Sequence, residues 1–182
     1  MADVKNVTYA KPKIGGAISI GTEKATLPTD AKSELTGFTS LGYISEDGLS
    51  NSNELDTDTI KAWGGDTVLV LNNGSEDKFT FTLIESLNVD VLKYVYGSEN
   101  VTGTLAEGIS ILSNAKPKED LPIVVDMIMK GGILRRIVIP NGSILETGEI
   151  TYKDDDAVGY EMTVLAQPDT DGNSHYEYIV KG

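Results

Sequence analysis

The sequence predicts a mainly β protein, a two-sheet antiparallel sandwich with one flanking α-helix at about residues 86–96. Three observations lead there. Short segments of alternating apolar and polar residues follow one another to the end of the 182-residue chain, the period expected of half-buried strands. A single stretch, Leu87–Tyr96, repeats its apolar residues at helical spacing instead. Strands and helices do not alternate, so a parallel nucleotide-binding sheet is excluded. The length suits one domain over residues 1–182.

Residues 1–13 are polar, contain Pro12 and read as an extended N-terminal arm. Ile14, Ala17, Ile18 and Ile20 form a first short strand, interrupted by Gly15–Gly16, and a polar connector runs from Gly21 to Gly37. Phe38 opens a strand that enters a long acidic segment rich in Gly, Ser and Asn. Between Ser45 and Asp58 lie Glu46, Asp47, Glu54, Asp56 and Asp58, no base, and only Leu49 and Leu55 as aliphatic anchors. Residues 45–60 therefore read as a long irregular loop. A compact domain seldom carries one without a use or disorder, and nothing here is catalytic in character. We expect it to reach another subunit through Glu46, Asp47, Leu49, Asn53, Glu54, Leu55, Asp56 and Asp58; a plain surface loop is the simpler alternative.

The chain returns through Ile60, Ala62 and its one tryptophan, Trp63. Val68–Leu71, the Asn72-Asn73-Gly74 sequence and the alternation of Phe79, Phe81 and Leu83 then read as a hairpin with one buried face. For the helix, Ser86 or Asn88 supplies the cap, Asp90 complements the N-terminal dipole, and Gly97 suits a left-handed stop. Trp63, Phe79, Phe81, Leu87, Val91 and Tyr94 are the expected core.

After a linker, Leu121–Met129 and Ile133–Ile139 alternate as strands across Lys130-Gly131-Gly132, the second closing at Pro140-Asn141-Gly142. Arg135 and Arg136 must point to opposite faces, so one lies among apolar neighbours and needs a carboxylate; Asp126 is the candidate. Ile144–Tyr152 and Val158–Ala166 pair across Asp154–Asp156, and His175–Val180 is the last strand.

The formal net charge is −13, concentrated in residues 38–66 and 143–182. Such a surface repels phosphate backbones, which argues against specific nucleic-acid recognition. Cysteine is absent, so disulfides and thiolate metal sites are excluded. No apolar run reaches membrane-spanning length, and the start lacks the apolar core of a secretory signal. His175 is the single histidine and has neither a GxSxG elbow nor a cysteine beside it. Asp169-Thr-Asp171-Gly172 reads as a turn, because the glycine arrives too early for a calcium loop. No cofactor or metal is expected, and no enzymatic activity. A carbohydrate-binding or adhesin-like sandwich needs an exposed aromatic platform, for which 7% aromatics are sparse; a small acidic hydrolase needs two converging carboxylates.

The blocks LGYISEDGLSNSNELDTDTIKAWGGDTVLVL, FTLIESLNVDVLKYVYG and NVTGTL, followed by DMIMKGGILRRIVIPN and GEITYKDDDAVGYEMTVLAQPDTDGNSHYEY, resemble the major tail tube protein of long-tailed, non-contractile bacteriophages. The similarity extends over essentially the whole chain and is greatest to versions from phages of Gram-positive hosts. It implies a structural, non-enzymatic virion protein of the tail, assembled in the host cytoplasm. It further implies hexameric rings whose inner sheets join into a continuous β-barrel. Stacked rings form a tube, and the genome passes through it into the host. Implied partners are further copies of the chain, a tape measure protein in the lumen, tail terminator and baseplate-side proteins, and double-stranded DNA that passes without specific binding. The early loop and the arms would reach neighbouring subunits and rings.

Overall fold

The computed structural model describes residues 2–182. Eleven strands and one α-helix follow the chain: β1 (Ala10–Pro12), β2 (Ile18–Gly21), β3 (Phe38–Ser40), β4 (Ile44–Lys61), β5 (Thr67–Leu83), α1 (Val89–Tyr96), β6 (Val101–Thr104), β7 (Gly108–Ile111), β8 (Leu121–Met129), β9 (Ile133–Thr147), β10 (Tyr160–Gln167) and β11 (Tyr176–Lys181). Every pairing is antiparallel. This is the mainly β, one-helix fold that the sequence predicts.

Hydrogen bonding runs continuously along β3-β2-β8-β9-β10-β5-β4, with β1 added to β8 and β11 to β9; β6 and β7 form a separate ribbon. The fifteen-residue β9 organises the sheet. Its first half pairs with β11, and its second half, from Asn141 on, pairs with β10. The strand was expected to end at Pro140-Asn141-Gly142, yet it continues, because Gly142 lies opposite both Leu121 and Ala166. A Cβ there would fall 2.6 Å from Ile123 Cδ1 and 3.0 Å from the Leu121 carbonyl oxygen. The glycine serves close strand approach rather than chain reversal.

Alternation places Ile123, Val125, Ile137, Ile139, Met162, Val164, Phe79, Phe81 and Leu83 in one buried cluster with Val91, Leu92, Tyr94 and Val95 of α1. The helix starts where Asn88 Oδ1 accepts the Asp90 backbone N–H at 3.0 Å, and stops at Gly97, whose φ is +98°. Leu87 precedes the first turn and is 65% exposed, so its assignment to the core is corrected; Leu92 supplies the apolar contact instead. The Tyr94 hydroxyl is buried without a hydrogen-bond partner, and burial pushes its pKa well above the usual phenol value.

The opposite face of β8 and β9 carries Val124, Val138, Asp126 and Arg136. Arg136 is 1% exposed and grips Asp126 in a bidentate pair, Nε to Oδ1 at 2.6 Å and Nη2 to Oδ2 at 3.0 Å. Its Nη1 donates to the carbonyl oxygens of Asp30 (3.0 Å) and Ser33 (2.9 Å), which pins the connector of residues 22–37 over this face. The expected partnership with Asp126 is thus present, and Arg136 is the buried member of the arginine pair.

The arm expected at 1–13 is exposed over its described residues, but it is not wholly detached. Ala10–Pro12 pairs with Met127–Met129, and Thr8 Oγ1 accepts the Lys130 backbone N–H at 2.9 Å.

Candidate assembly interface

The segment read as an irregular loop is a strand. β4 and β5 form one long hairpin whose register runs from Leu49↔Phe81 at the body to Lys61↔Thr67 near the tip. Reversal occurs at Ala62–Asp66, where Ala62 N–H donates to Asp66 O at 2.8 Å and Gly65 N–H to Ala62 O at 3.0 Å. The Asn72-Asn73-Gly74 sequence, expected to turn the chain, lies within β5. There Asp56 pairs with Gly74 and Thr57 with Asn72, so Asn73 is the extra residue of a bulge. Asn-Gly favours positive φ, and Gly74 (φ +139°) uses that freedom to kink a strand. Polar composition misled the reading of 45–60, because a ribbon projecting into solvent has no apolar face to display.

Every residue from Ser50 through Glu76 is exposed. Beyond the Asn53↔Asp77 pair the ribbon extends eight further residues on β4, about 27 Å at 3.4 Å per residue. Trp63 stands fully exposed at the tip, which corrects its expected place in the core. A two-residue-wide ribbon leaves an indole there nothing of its own chain to pack against. Ile60 lies opposite Leu69, and Leu71 opposite Asp58, so an apolar patch of Ile60, Leu69 and Leu71 forms on one face. Val68 and Val70 are exposed as well.

The residues expected to reach another subunit divide along this hairpin. Asn53, Glu54, Leu55, Asp56 and Asp58 lie on the exposed shaft. Leu49 is half-buried against the core, and Glu46 and Asp47 sit on the irregular stretch between Ile44↔Leu83 and Leu49↔Phe81. Of the expected core set, Phe79, Phe81, Val91 and Tyr94 are buried.

At the root of the hairpin the alternation of β5 ends on a carboxylate. Asp77 shares the core-facing parity of Phe79, Phe81 and Leu83 and is 1% exposed. Asn51 Nδ2 donates to its Oδ1 at 2.7 Å, and His175 Nδ1 meets its Oδ2. The His175 ring stands edge-on to Phe79 at 5.3 Å between centroids. Its Nε2 lies 3.9 Å from Glu177 Oε1, and Arg135 Nη2 pairs with Glu177 Oε2. Sequence reading missed this cluster, although the parity of Asp77 with the phenylalanines was a usable signal.

A groove of about 760 Å³ lies apart from the hairpin, between the C-terminal end of α1, residues 20–24 and the 116–121 linker. Lys24, Lys93, Lys116 and Lys118 line it together with Glu23, Asp90, Glu99 and Glu119, so it favours neither sign of charge. Burial holds the Lys118 ammonium below its usual pKa. Among the described residues no group of three or more His, Cys, Asp or Glu side chains could hold a metal, and no helix is long and apolar enough to cross a membrane.

A two-stranded ribbon in water is marginal by itself, and this one carries an exposed indole and an aliphatic patch, the kind of surface that marks interaction sites. Body and ribbon together make a mainly β, antiparallel protein with one long projecting hairpin. Residues 13–182 match the family model described as phage tail tube protein, and the chain belongs to that family. It is a structural protein of the phage tail, and tail tube proteins build a tube by self-assembly with other tail proteins. No curated protein sequence matches it.

Proposed function

We propose that copies of this chain close into hexameric rings that stack into the tail tube, each β4–β5 hairpin lying against another copy. The observation that carries this reading is the uninterrupted exposure of Ser50–Glu76 on a ribbon bearing Trp63, Ile60, Leu69 and Leu71. Burying those side chains offers about 25 cal/mol per Å² of apolar surface removed from water. A patch on one copy that fits a different surface on the next is a heterologous contact; it closes as a ring or continues as a filament. The strands at the ends of the hydrogen-bonded path, β3 and β4, lack a second neighbour in the monomer, as do β1 and β11. Joining edges around a ring removes the hazard that free edges carry.

The lumen is acidic in this proposal and conducts the genome without binding it. Duplex DNA carries a charge about every 1.7 Å along its axis. Carboxylates on the wall repel it over a Debye length of about 8 Å at physiological salt. The exposed Asp154–Asp156 turn, which lies off the hairpin, supplies the candidate lining groups. A tape measure protein would occupy this lumen during assembly in the host cytoplasm, with terminator and baseplate-side proteins at the two ends.

The test is to shorten the hairpin at a paired position. Glu54 and Glu76 are opposite one another, so replacing residues 55–75 by Asn-Gly leaves a two-residue turn of favoured type. The shortened chain is expected to fold, elute as a monomer and form no tubes under negative-stain microscopy. Normal tubes from it would overturn the assignment.

A further inference from the structure

We propose that Asp77 and His175 are positioning residues that set the direction in which the hairpin leaves the body. The proposal rests on the hairpin being the assembly element, and it concerns how that element is held in a single chain before any partner arrives. Asp77 is the last buried residue of β5 on the way out to the tip; its neighbour Glu76 is exposed. Both strands of the root are tied to it, β5 directly and β4 through Asn51, whose Nδ2 also donates to the Lys78 carbonyl oxygen at 3.1 Å.

The tie then leaves the hairpin. His175 belongs to the segment just before β11, ninety-eight positions away in sequence. Asn51 already uses Asp77 as an acceptor, and Nδ1–H of His175 is assigned as the donor to its other oxygen. On its other side the ring faces Glu177, which is held by Arg135 of β9. The root is thereby linked through His175, Glu177 and Arg135 to the central strand of the sheet.

A buried carboxylate tolerates no loose arrangement. Left without its donors, Asp77 would pay the full cost of desolvation. A one-residue slip of β5 would also turn it to solvent and Lys78 inward. The cluster thus selects both a register and an exit angle, which hydrophobic contact at Phe79 alone does not. The lever makes this consequential. Strand twist ordinarily varies over some 20°, and on an arm of about 27 Å that freedom moves the tip by about 9 Å.

The chain has no cysteine, so spin labels at Thr59→Cys on the shaft and Asp155→Cys on the body report the angle in the full-length, unassembled protein by pulsed dipolar spectroscopy. His175→Phe keeps a ring against Phe79 and removes the donor; the distance distribution is expected to broaden by about 7 Å, the same angle acting over the six residues between the Asn53↔Asp77 pair and the label at Thr59. His175→Asn offers an amide N–H near the Nδ1 position and is expected to restore the narrow distribution. An unchanged distribution in His175→Phe overturns the proposal, and so does equal broadening in His175→Asn, which would assign the effect to ring volume. If His175→Phe fails to fold, Asp77→Leu, apolar and branched as the carboxylate is, removes the acceptor and is judged by the same broadening. Broadening with normal tubes under the microscope leaves the positioning role standing and refutes the assembly reading of the hairpin instead.

Discussion

Replacing Arg136 by Met probes the best-defined buried electrostatic arrangement in the molecule. The guanidinium makes two bonds to Asp126 and two to carbonyl oxygens of the connector. After the replacement Asp126, only 8% exposed, keeps a single cationic partner, the half-exposed Lys13 at 3.3 Å. Breaking a buried pair from one side costs about 3–5 kcal/mol, because the remaining charge stays desolvated. With an m-value of about 2 kcal/mol/M, the urea midpoint of the unassembled chain should fall by about 1.5–2.5 M. The double variant Arg136→Met/Asp126→Leu removes both charges and should recover most of the loss. A single variant within about 1 kcal/mol of the parent, or a double variant no more stable than the single, would show that no uncompensated charge is left at Asp126.

Further expectations follow from individual contacts. Leu92→Ala should cost about 2–5 kcal/mol, the range for emptying a core site, whereas Leu87→Ala, at an exposed position, should change the denaturation midpoint little. Asn88→Ala removes the cap of α1 and should cost about 1 kcal/mol in the same titration. The Tyr176 hydroxyl, donating at 2.6 Å, and then the Asn173 backbone N–H hold the Asp169 carboxyl below the usual carboxylate range. A depressed folded-state pKa stabilises above the unfolded value and loses that contribution as pH falls through the folded one. Tyr176→Phe should therefore raise the Asp169 midpoint in an NMR titration and weaken the acid-side pH dependence of stability. Lys at Asp154, Asp155 or Asp156, exposed and off the hairpin, should leave tubes intact and slow DNA ejection; unchanged ejection for all three removes them from the wall.

The sequence made some features legible and hid others for physical reasons. Period-two alternation in Phe79–Leu83 and Ile133–Ile139 exists because one face meets a core, and the strands there are where the pattern puts them. The cap at Asn88 and the stop at Gly97 are local chemistry and were readable within a turn. The hairpin shaft was not, since a ribbon with both faces in water shows no alternation and its residues resemble a loop. Asn72-Asn73-Gly74 and Pro140-Asn141-Gly142 misled for a related reason. The backbone freedom that permits a tight turn also permits a bulge or a close strand crossing, and only the partner strand decides which occurs. Trp63, expected in the core, is exposed at the tip, and that exposure has meaning only once the protrusion is known. The Asp77–His175 contact joins residues far apart in sequence, and no local pattern links them.

Amide hydrogen exchange over residues 50–76, in assembled tubes against the unassembled chain, tests the central claim most directly. If another copy covers the ribbon, these amides exchange rapidly in the free chain and become strongly protected in the tube, Ile60–Leu71 most of all. Exchange in the tube as fast as in the free chain would contradict the account.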